Sequence, residues 1–174
     1  MKIAVMGYSG SGKSTLARIL SEHYGIPVLH LDTVQFLPGW EIRDDEEKRK
    51  IVADFMKKES WVIDGNYSGL YKKERLEQAD RIIILSFNRF FCFQSAFKRY
   101  LENRGSSRTD MADGCDEKFD LEFAWWILFQ GRTRRRRKSY KDIYNQYKAK
   151  TLWFTKRSQV NDYINSLKNK NTVQ

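Results

Sequence analysis

The sequence predicts an α/β fold in which five parallel strands alternate with helices. Short apolar runs alternate along the chain with segments whose apolar residues recur every three or four positions, a pattern typical of a doubly wound parallel sheet. The first apolar run, residues 3–6, leads into a glycine-rich stretch at 7–14 and then into helical spacing at Leu16 and Leu20. No repeat or linker interrupts the 174 residues, so we interpret residues 1–174 as a single domain.

Residues 7–14 carry the strongest motif of the chain. They read Gly-Tyr-Ser-Gly-Ser-Gly-Lys-Ser, which matches GxxxxGK[ST] between a strand and a helix. Backbone N–H groups of such a loop bind phosphate, Lys13 supplies a cation for the β- and γ-phosphates, and the Ser14 hydroxyl suits Mg²⁺. An ordinary Gly/Ser turn that caps the helix is the alternative. The motif predicts binding of ATP with Mg²⁺ by Gly7, Tyr8, Ser9, Gly10, Ser11, Gly12, Lys13, Ser14 and Thr15.

Asp32 follows the second apolar run, residues 28–31. A carboxylate that follows a strand of a parallel sheet lies at the edge where ligands bind. Asp32 is therefore a candidate catalytic base, or a group that orients the phosphate acceptor. Its alternative role is that of a helix or turn cap. His30 lies inside the same run, and we interpret it as a packed core histidine.

Asp64 ends the apolar run at residues 61–63. This is the form of a Walker B strand, whose aspartate holds Mg²⁺ together with a P-loop hydroxyl, here that of Ser14. The next apolar run, 81–87, carries Ser86 near its end instead, which favours Asp64. We expect the acceptor to contact residues beside these strands, namely Asp32, Trp40, Gly65, Asn66 and Tyr67.

Composition and charge limit the classes of protein to which this chain can belong. The chain has 32 basic and 22 acidic residues, a net charge of +10, which attracts nucleotides and nucleic acids alike. No apolar run approaches the ~20 residues of a membrane span, and the first strand leaves no room for a signal peptide. We therefore expect a cytoplasmic protein without a membrane partner. Cys92 and Cys115 match no zinc pattern and are expected to be buried or idle thiols.

The pattern changes between residue 104 and about residue 138, and we interpret 104–138 as an insertion. It contains an apolar helix at 119–130 that is hydrophobic nearly all round. Such a helix must be buried, either by the body of the protein or by a second copy in a homodimer.

Arginines concentrate at both ends of this insertion. Arg104 and Arg108 lie on a polar loop that contains glycine, and residues 132–137 form a dense arginine cluster. Six consecutive helical positions cannot all face one site, so we expect Arg132 and Arg136 to reach phosphate.

Three further helix features can be predicted. The spacing of Asp44 and Glu47 is that of a capping box. The last helix is expected to be capped by Ser158. The helix after the fourth strand carries an apolar stripe that we interpret as core, formed by Phe90, Phe93, Phe97 and Leu101.

Several stretches, spread over nearly the whole chain, match a known family. They are Met6 through Thr15, His30-Leu31-Asp32, Pro38-Gly39-Trp40, Trp61 through Tyr67, Arg104-Gly105 through Asp110, and Gly114-Cys115 through Lys118. With these motifs the chain resembles the adenylate-kinase-like P-loop kinases, and among them the DNA topology modulation protein family most closely. The resemblance implies the strand order 2-3-1-4-5, helices on both faces of the sheet, and a helical lid whose arginines close over the transferring phosphate.

The chain also departs from the adenylate kinases. They carry Asp-Gly-Phe-Pro-Arg after the Walker B strand, whereas residues 64–68 read Asp-Gly-Asn-Tyr-Ser and lack the arginine that grips an acceptor phosphate. Their lid-helix arginines are one turn apart, whereas the counterparts Arg99 and Arg104 are five positions apart. A nucleoside, a nucleotide and a small hydroxylated molecule therefore all remain open as acceptors.

Two functions follow from these observations. The leading hypothesis is an ATP-dependent phosphotransferase that acts on a small molecule, nucleoside or nucleotide. The alternative is an ATP-binding, nucleic-acid-associated regulator that affects DNA topology, but the sequence carries no helix-turn-helix, zinc-finger or RNA-binding signature. In the phosphotransferase, the residues expected to act on the transferring group are Lys13, Asp32, Arg104, Arg108, Arg132 and Arg136.

Overall fold

The strands of the computed structural model form one parallel sheet in the order β2-β3-β1-β4-β5. The structure describes residues 1–103, 111, 114–115 and 119–171. The strands are β1 (Lys2–Gly7), β2 (Val28–His30), β3 (Trp61–Asp64), β4 (Arg81–Leu85) and β5 (Thr151–Phe154). Fold class and strand order are therefore confirmed.

Eight α-helices connect or follow the strands in the described part of the chain. They are α1 (Lys13–Tyr24), α2 (Leu31–Gln35), α3 (Asp45–Met56), α4 (Lys72–Gln78), α5 (Arg89–Glu102), α6 (Leu121–Leu128), α7 (Arg134–Gln146) and α8 (Arg157–Asn171). None of these helices is long and apolar enough to cross a lipid bilayer. The proposed insertion at 104–138 thus contains α6 and the start of α7, while Arg104 and Arg108 lie outside the described residues.

The centre of the sheet is β1, which pairs with β3 on one side and with β4 on the other. Its residues Ile3 and Val5 are fully buried, as expected for a strand covered on both faces. Because all strands run in the same direction, the loops after β1, β2, β3 and β4 meet at one edge of the sheet.

Asp32 lies in a helix and not, as predicted, directly after a strand. The second strand ends at His30, and the short helix α2 begins at Leu31. Leu31 is fully buried, and its backbone already belongs to the helix. Asp32 is therefore in the first turn of α2 and not at the end of a strand.

The interpretation of the α5 stripe as core holds only for Phe93, which packs against the core, and is wrong for Phe90, Phe97 and Leu101. Phe90 and Leu101 are 67% and 57% exposed, whereas the buried face consists of Cys92 and Ala96. A Cβ placed on Gly10 would lie 2.2 Å from the carbonyl oxygen of Cys92. Since α5 runs this close to the glycine-rich loop, small side chains rather than aromatic rings occupy the contact.

The apolar helix α6 is buried on one side only. Ile127 is 2% exposed, but Leu121 and Trp125 on the other side are 90% and 55% exposed. The body of the protein therefore covers only one side of α6, and burial of the other side by a second copy stays a prediction. One face of α6 packs against α5, and Phe123, Trp126 and Ile127 line the cavity described below.

Two helix caps differ in detail from their predictions. The Asp44 carboxylate does accept the N–H groups of Glu46 and Glu47, but the Glu47 side chain pairs with Arg43 at 2.6 Å instead of closing a capping box. The last helix begins at Arg157, so Ser158 is not its cap. The Gln159 side chain instead accepts the N–H groups of Thr155 and Lys156, at 2.8 and 3.0 Å. Both cysteines are buried free thiols, as predicted.

Candidate active site

The glycine-rich loop connects β1 to the N-terminus of α1. Strand β1 ends at Gly7, and α1 begins at Lys13. The ammonium group of Lys13 lies 3.5 Å from the carbonyl oxygen of Tyr8, so the side chain turns back over the loop. Backbone N–H groups at the start of α1 and the Lys13 cation thus point to one place, which is the arrangement that binds a phosphate chain.

Tyr8 joins this loop to the helices of the proposed insertion. The Arg132 guanidinium stacks on the Tyr8 ring at 4.0 Å from the centroid, and the Tyr140 ring meets it edge-on at 5.2 Å. Burial raises the pKa of the Tyr8 hydroxyl, and the positive charge of Arg132 opposes that shift. Tyr8 is therefore a neutral aromatic ring, and its contact with the Arg132 guanidinium holds that cation beside the glycine-rich loop.

Arg132 is held in place by the main chain. Its Nε donates to the carbonyl oxygen of Ile127 at 3.0 Å, and its Nη1 donates to that of Phe87 at 2.8 Å. The guanidinium therefore ties the turn between α6 and α7 to the end of β4. A cation fixed in this way needs little reorganisation to meet a negative charge.

Asn66 binds the main chain at the start of the glycine-rich loop. Its Nδ2 donates to the carbonyl oxygen of Gly7 at 2.7 Å, and its Oδ1 accepts the Gly7 N–H at 3.2 Å. The Tyr140 hydroxyl also donates to Oδ1, at 3.3 Å. Asn66 also lines the cavity described below, and its predicted contact with the acceptor stays a prediction.

The loop after β3 is shaped by Arg75, which is 2% exposed. Its guanidinium donates to carbonyl oxygens of this loop, those of Leu70 at 2.8 Å, Tyr67 at 2.9 Å and Gly65 at 3.4 Å. Burial lowers the pKa of Arg75 to about 10, with the charge of Asp64 opposing the shift, so Arg75 is still protonated at neutral pH. No local pattern marks this arginine, and sequence reasoning missed it.

We expect Arg75→Met to lower the free energy of unfolding by about 3 kcal/mol, because it leaves buried carbonyl groups without donors. At roughly 2–4 °C per kcal/mol for a domain of this size, the midpoint of thermal unfolding should fall by about 6–12 °C. Calorimetry checks this, with Arg18→Met as the control, since that side chain is 59% exposed. Equal midpoints for the two variants would contradict the assigned role.

Asp32 and Tyr67 form a hydrogen-bonded pair. The Tyr67 hydroxyl donates to Oδ1 of Asp32 at 2.6 Å. Burial, reinforced by the negative charge of Asp32, raises the pKa of Tyr67 far above its usual value. Tyr67 therefore stays a neutral donor, and it holds the Asp32 carboxylate in one orientation while Oδ2 stays available to a ligand.

His30 and Asp64 form a second pair, on neighbouring strands. Nδ1 of His30 lies 3.0 Å from Oδ1 of Asp64, and the two side chains are 11% and 5% exposed. The histidine is well packed, as predicted, but its partner is the predicted Walker B carboxylate. The parallel register places His30 directly opposite Asp64, a relation that follows from the strand order and that we did not draw from the sequence. By contrast, the Ser86 hydroxyl accepts a hydrogen bond from the Trp153 indole at 2.5 Å.

A cavity of about 1190 Å³ opens at this edge of the sheet. Arg136 contributes to its wall while its guanidinium stacks on Trp126 at 4.5 Å, and Trp40 contributes with a backbone φ of 69°, which is strained for a bulky residue. The predicted site residues on the wall are Tyr8, Ser9, Gly10, Lys13, Ser14, Asp32, Trp40, Gly65, Asn66, Tyr67, Arg132 and Arg136.

A second cavity, of about 330 Å³, shares Gly10, Lys13 and Ser14 with the first and adds Ser11, Gly12 and Thr15. Arg99, which the resemblance offers as the counterpart of a lid-helix arginine, lines both cavities. Among the described site residues, Gly7 and Asp64 line neither.

The donor groups suit magnesium that arrives with a nucleotide. Within the described residues, no group of three or more His, Cys, Asp or Glu side chains could hold a metal on its own. Mg²⁺ keeps several waters and takes one or two protein ligands besides phosphate oxygens. The Ser14 hydroxyl on the cavity wall and the buried Asp64 carboxylate are of the chemical types that this requires.

Comparison with known proteins places this geometry in context. The sequence profile of a family described as an AAA domain matches residues 3–100, more than half of the chain. Adenylate kinase from Bifidobacterium longum (strain NCC 2705) is 31% identical over a match that covers 37% of this chain and 46% of that enzyme. The chain thus spans less than half of its length.

Two solved structures are similar over nearly their whole length. Shikimate kinase from Bacteroides thetaiotaomicron superposes with a TM-score of 0.54 at 18% identity, covering 97% of each chain. Shikimate kinase from Acinetobacter baumannii, in complex with shikimate, has a TM-score of 0.56 at 17% identity, covering 99% of this chain and 95% of that one. At such identities the likeness concerns the fold.

Proposed function

We propose that this chain, which belongs to the family described as an AAA domain, is a phosphotransferase that transfers the terminal phosphoryl group of ATP to a small molecule. One observation carries this proposal: a single cavity contains Lys13 and Ser14 of the glycine-rich loop together with the Asp32–Tyr67 pair. The first two residues are suited to a phosphate chain and the second two to an acceptor. A kinase needs these two functions side by side.

The residues divide the work as follows. The loop N–H groups and Lys13 bind the phosphates, and Arg132 and Arg136 face the charge that develops during transfer. Ser14 and Asp64 would hold Mg²⁺, which when bound neutralises charge on the β- and γ-phosphates. Arg104 and Arg108, outside the described residues, remain proposed lid arginines.

The Asp32–Tyr67 pair favours an alcohol as the acceptor. Asp32 takes the proton of the acceptor hydroxyl as the new oxygen–phosphorus bond forms, and the bond from the γ-phosphorus to the bridging oxygen breaks to release ADP. A phosphate acceptor carries no such proton, and a carboxylate beside it would repel its charge. The missing arginine at residues 64–68 points in the same direction.

The test is a screen for acceptor-dependent release of ADP. Nucleosides, nucleoside monophosphates and small hydroxylated metabolites, shikimate among them, are supplied with MgATP, and the Lys13→Ala protein serves as the blank. We expect an alcohol from the first or third group to stimulate ADP release and to appear as a phosphate ester by mass spectrometry. Tight MgATP binding without stimulation by any acceptor class would contradict the proposal.

The nucleic-acid alternative rests on the remaining basic residues of α7. Arg134, Arg135, Arg137 and Lys138 are exposed and do not line either cavity. If they bind DNA, the logarithm of the association constant should fall steeply with the logarithm of salt concentration while binding persists at physiological salt. For the phosphotransferase we expect no DNA binding above ~0.1 M salt. The link to DNA topology stays a sequence-based prediction.

A further inference from the structure

We propose that His30 is a positioning residue for the metal site: its imidazole holds Oδ1 of Asp64 and directs Oδ2 toward the metal bound with the nucleotide. This inference rests on the proposed function. His30 itself lines neither cavity, so any effect of its side chain on metal binding must pass through Asp64.

The geometry gives the pair little freedom. His30 is the last residue of β2 and Asp64 the last residue of β3, and the parallel register sets them opposite each other. Nδ1 and Oδ1 are 3.0 Å apart, and both side chains are almost completely buried. A carboxylate with one oxygen bound to a fixed ring cannot rotate without losing that hydrogen bond.

The chemistry of the partners assigns the proton. An ionised carboxylate only accepts hydrogen bonds, so the Nδ1 of His30 carries the hydrogen in the pair with Asp64. Partners of this kind orient ligands, and their removal commonly costs 10–100-fold in metal affinity. A histidine that merely satisfies a buried carboxylate would instead affect folding and leave metal affinity alone.

Three variants separate these roles. His30→Asn keeps an N–H donor on the atom that replaces Nδ1, whereas His30→Leu removes the donor and keeps apolar volume. His23→Asn is the matched control, because the chain has only two histidines and His23 lies on α1. Binding of Mn²⁺ with ADP, followed by electron paramagnetic resonance, is compared with binding of ADP alone in EDTA.

We expect His30→Leu to weaken Mn²⁺–ADP binding by about 10–100-fold while the affinity for metal-free ADP changes less than twofold. His30→Asn should recover most of the loss, and His23→Asn should behave as wild type. In imidazole NMR spectra, Mn²⁺–ADP should broaden the His30 signals more than those of His23.

Each other outcome has a distinct meaning. If His30→Leu lowers the thermal midpoint but leaves the Mn²⁺–ADP affinity unchanged, the positioning role is rejected and the proposed function stands. The same holds if His30→Leu weakens Mn²⁺–ADP binding and His30→Asn fails to restore the affinity. If the wild-type protein binds ADP neither with nor without Mn²⁺, the proposed function is rejected, and the role of His30 with it.

Discussion

Replacement of Lys13 by alanine should reduce phosphoryl transfer by about 10²–10³-fold, the usual cost of removing one charge-stabilising donor from an active site. The reason is geometric, because the Lys13 ammonium already lies over the loop, 3.5 Å from the carbonyl oxygen of Tyr8. In the proposed reaction, the Lys13 ammonium follows the γ-phosphate as it moves. Single-turnover measurement at saturating MgATP isolates this step from binding.

The fold should survive this change, since the Lys13 side chain lines the cavities and is not among the buried core residues. The matched control is Lys73→Ala, whose side chain is 77% exposed on α4 and which should react at the wild-type rate. Circular dichroism and the thermal midpoint of both variants should equal those of the wild type. Unchanged turnover in Lys13→Ala would contradict the assignment of the glycine-rich loop as a phosphate-binding site.

Replacement of Asp32 by asparagine should lower kcat by about 10²–10⁴-fold, the range for loss of a general base, and change the KM for ATP little. Tyr67→Phe should have a smaller effect of about tenfold, because the base stays but loses the 2.6 Å hydrogen bond that orients it. The order of the two effects distinguishes the base from the residue that holds it. Steady-state kinetics with the acceptor found by the screen provide both values.

Asp54→Asn serves as the control for this series, since that carboxylate is 54% exposed on α3. A Tyr67→Phe protein that is as slow as Asp32→Asn would mean that Tyr67 itself contacts the reacting atoms. An Asp32→Asn protein with wild-type kcat would show that Asp32 takes no part in the reaction and serves only as a residue of helix α2.

Patterns that lie within a few residues of each other were sufficient for much of this protein. The strands, their order by resemblance, and the glycine-rich loop could be predicted because apolar periodicity and GxxxxGK[ST] are local signals. The predicted placement of Asp32 and Tyr67 near the loop follows from the loops after parallel strands, which share one edge of the sheet. Arg132 and Arg136 both line the cavity, but Arg132 lies in the turn before α7, so the helical spacing that predicted the pair does not explain its location.

Contacts between distant residues had no such signal. Arg132 reaches Phe87 across 45 positions, and Asn66 reaches Gly7 across 59. The sequence predicts only that His30 is packed, because the apolar pattern of one strand does not show which strand lies beside it. The register of β2 with β3 makes Asp64 the partner of His30. Pairings of this kind depend on strand order and on chain crossings, which no short window of sequence contains.

The same physical reason explains the errors on α5 and α6. Helical periodicity finds the apolar side chains of a helix but not which of them the rest of the chain covers. On α5 the approach of the backbone to Gly10 selects Cys92 and Ala96 as the buried face, and Phe90 and Phe97 stay exposed. On α6 the described part of the chain covers the side of Ile127, while Leu121 and Trp125 stay exposed. Whether an apolar side chain of a helix is buried depends on which other elements pack against that face, and this is a property of the folded chain.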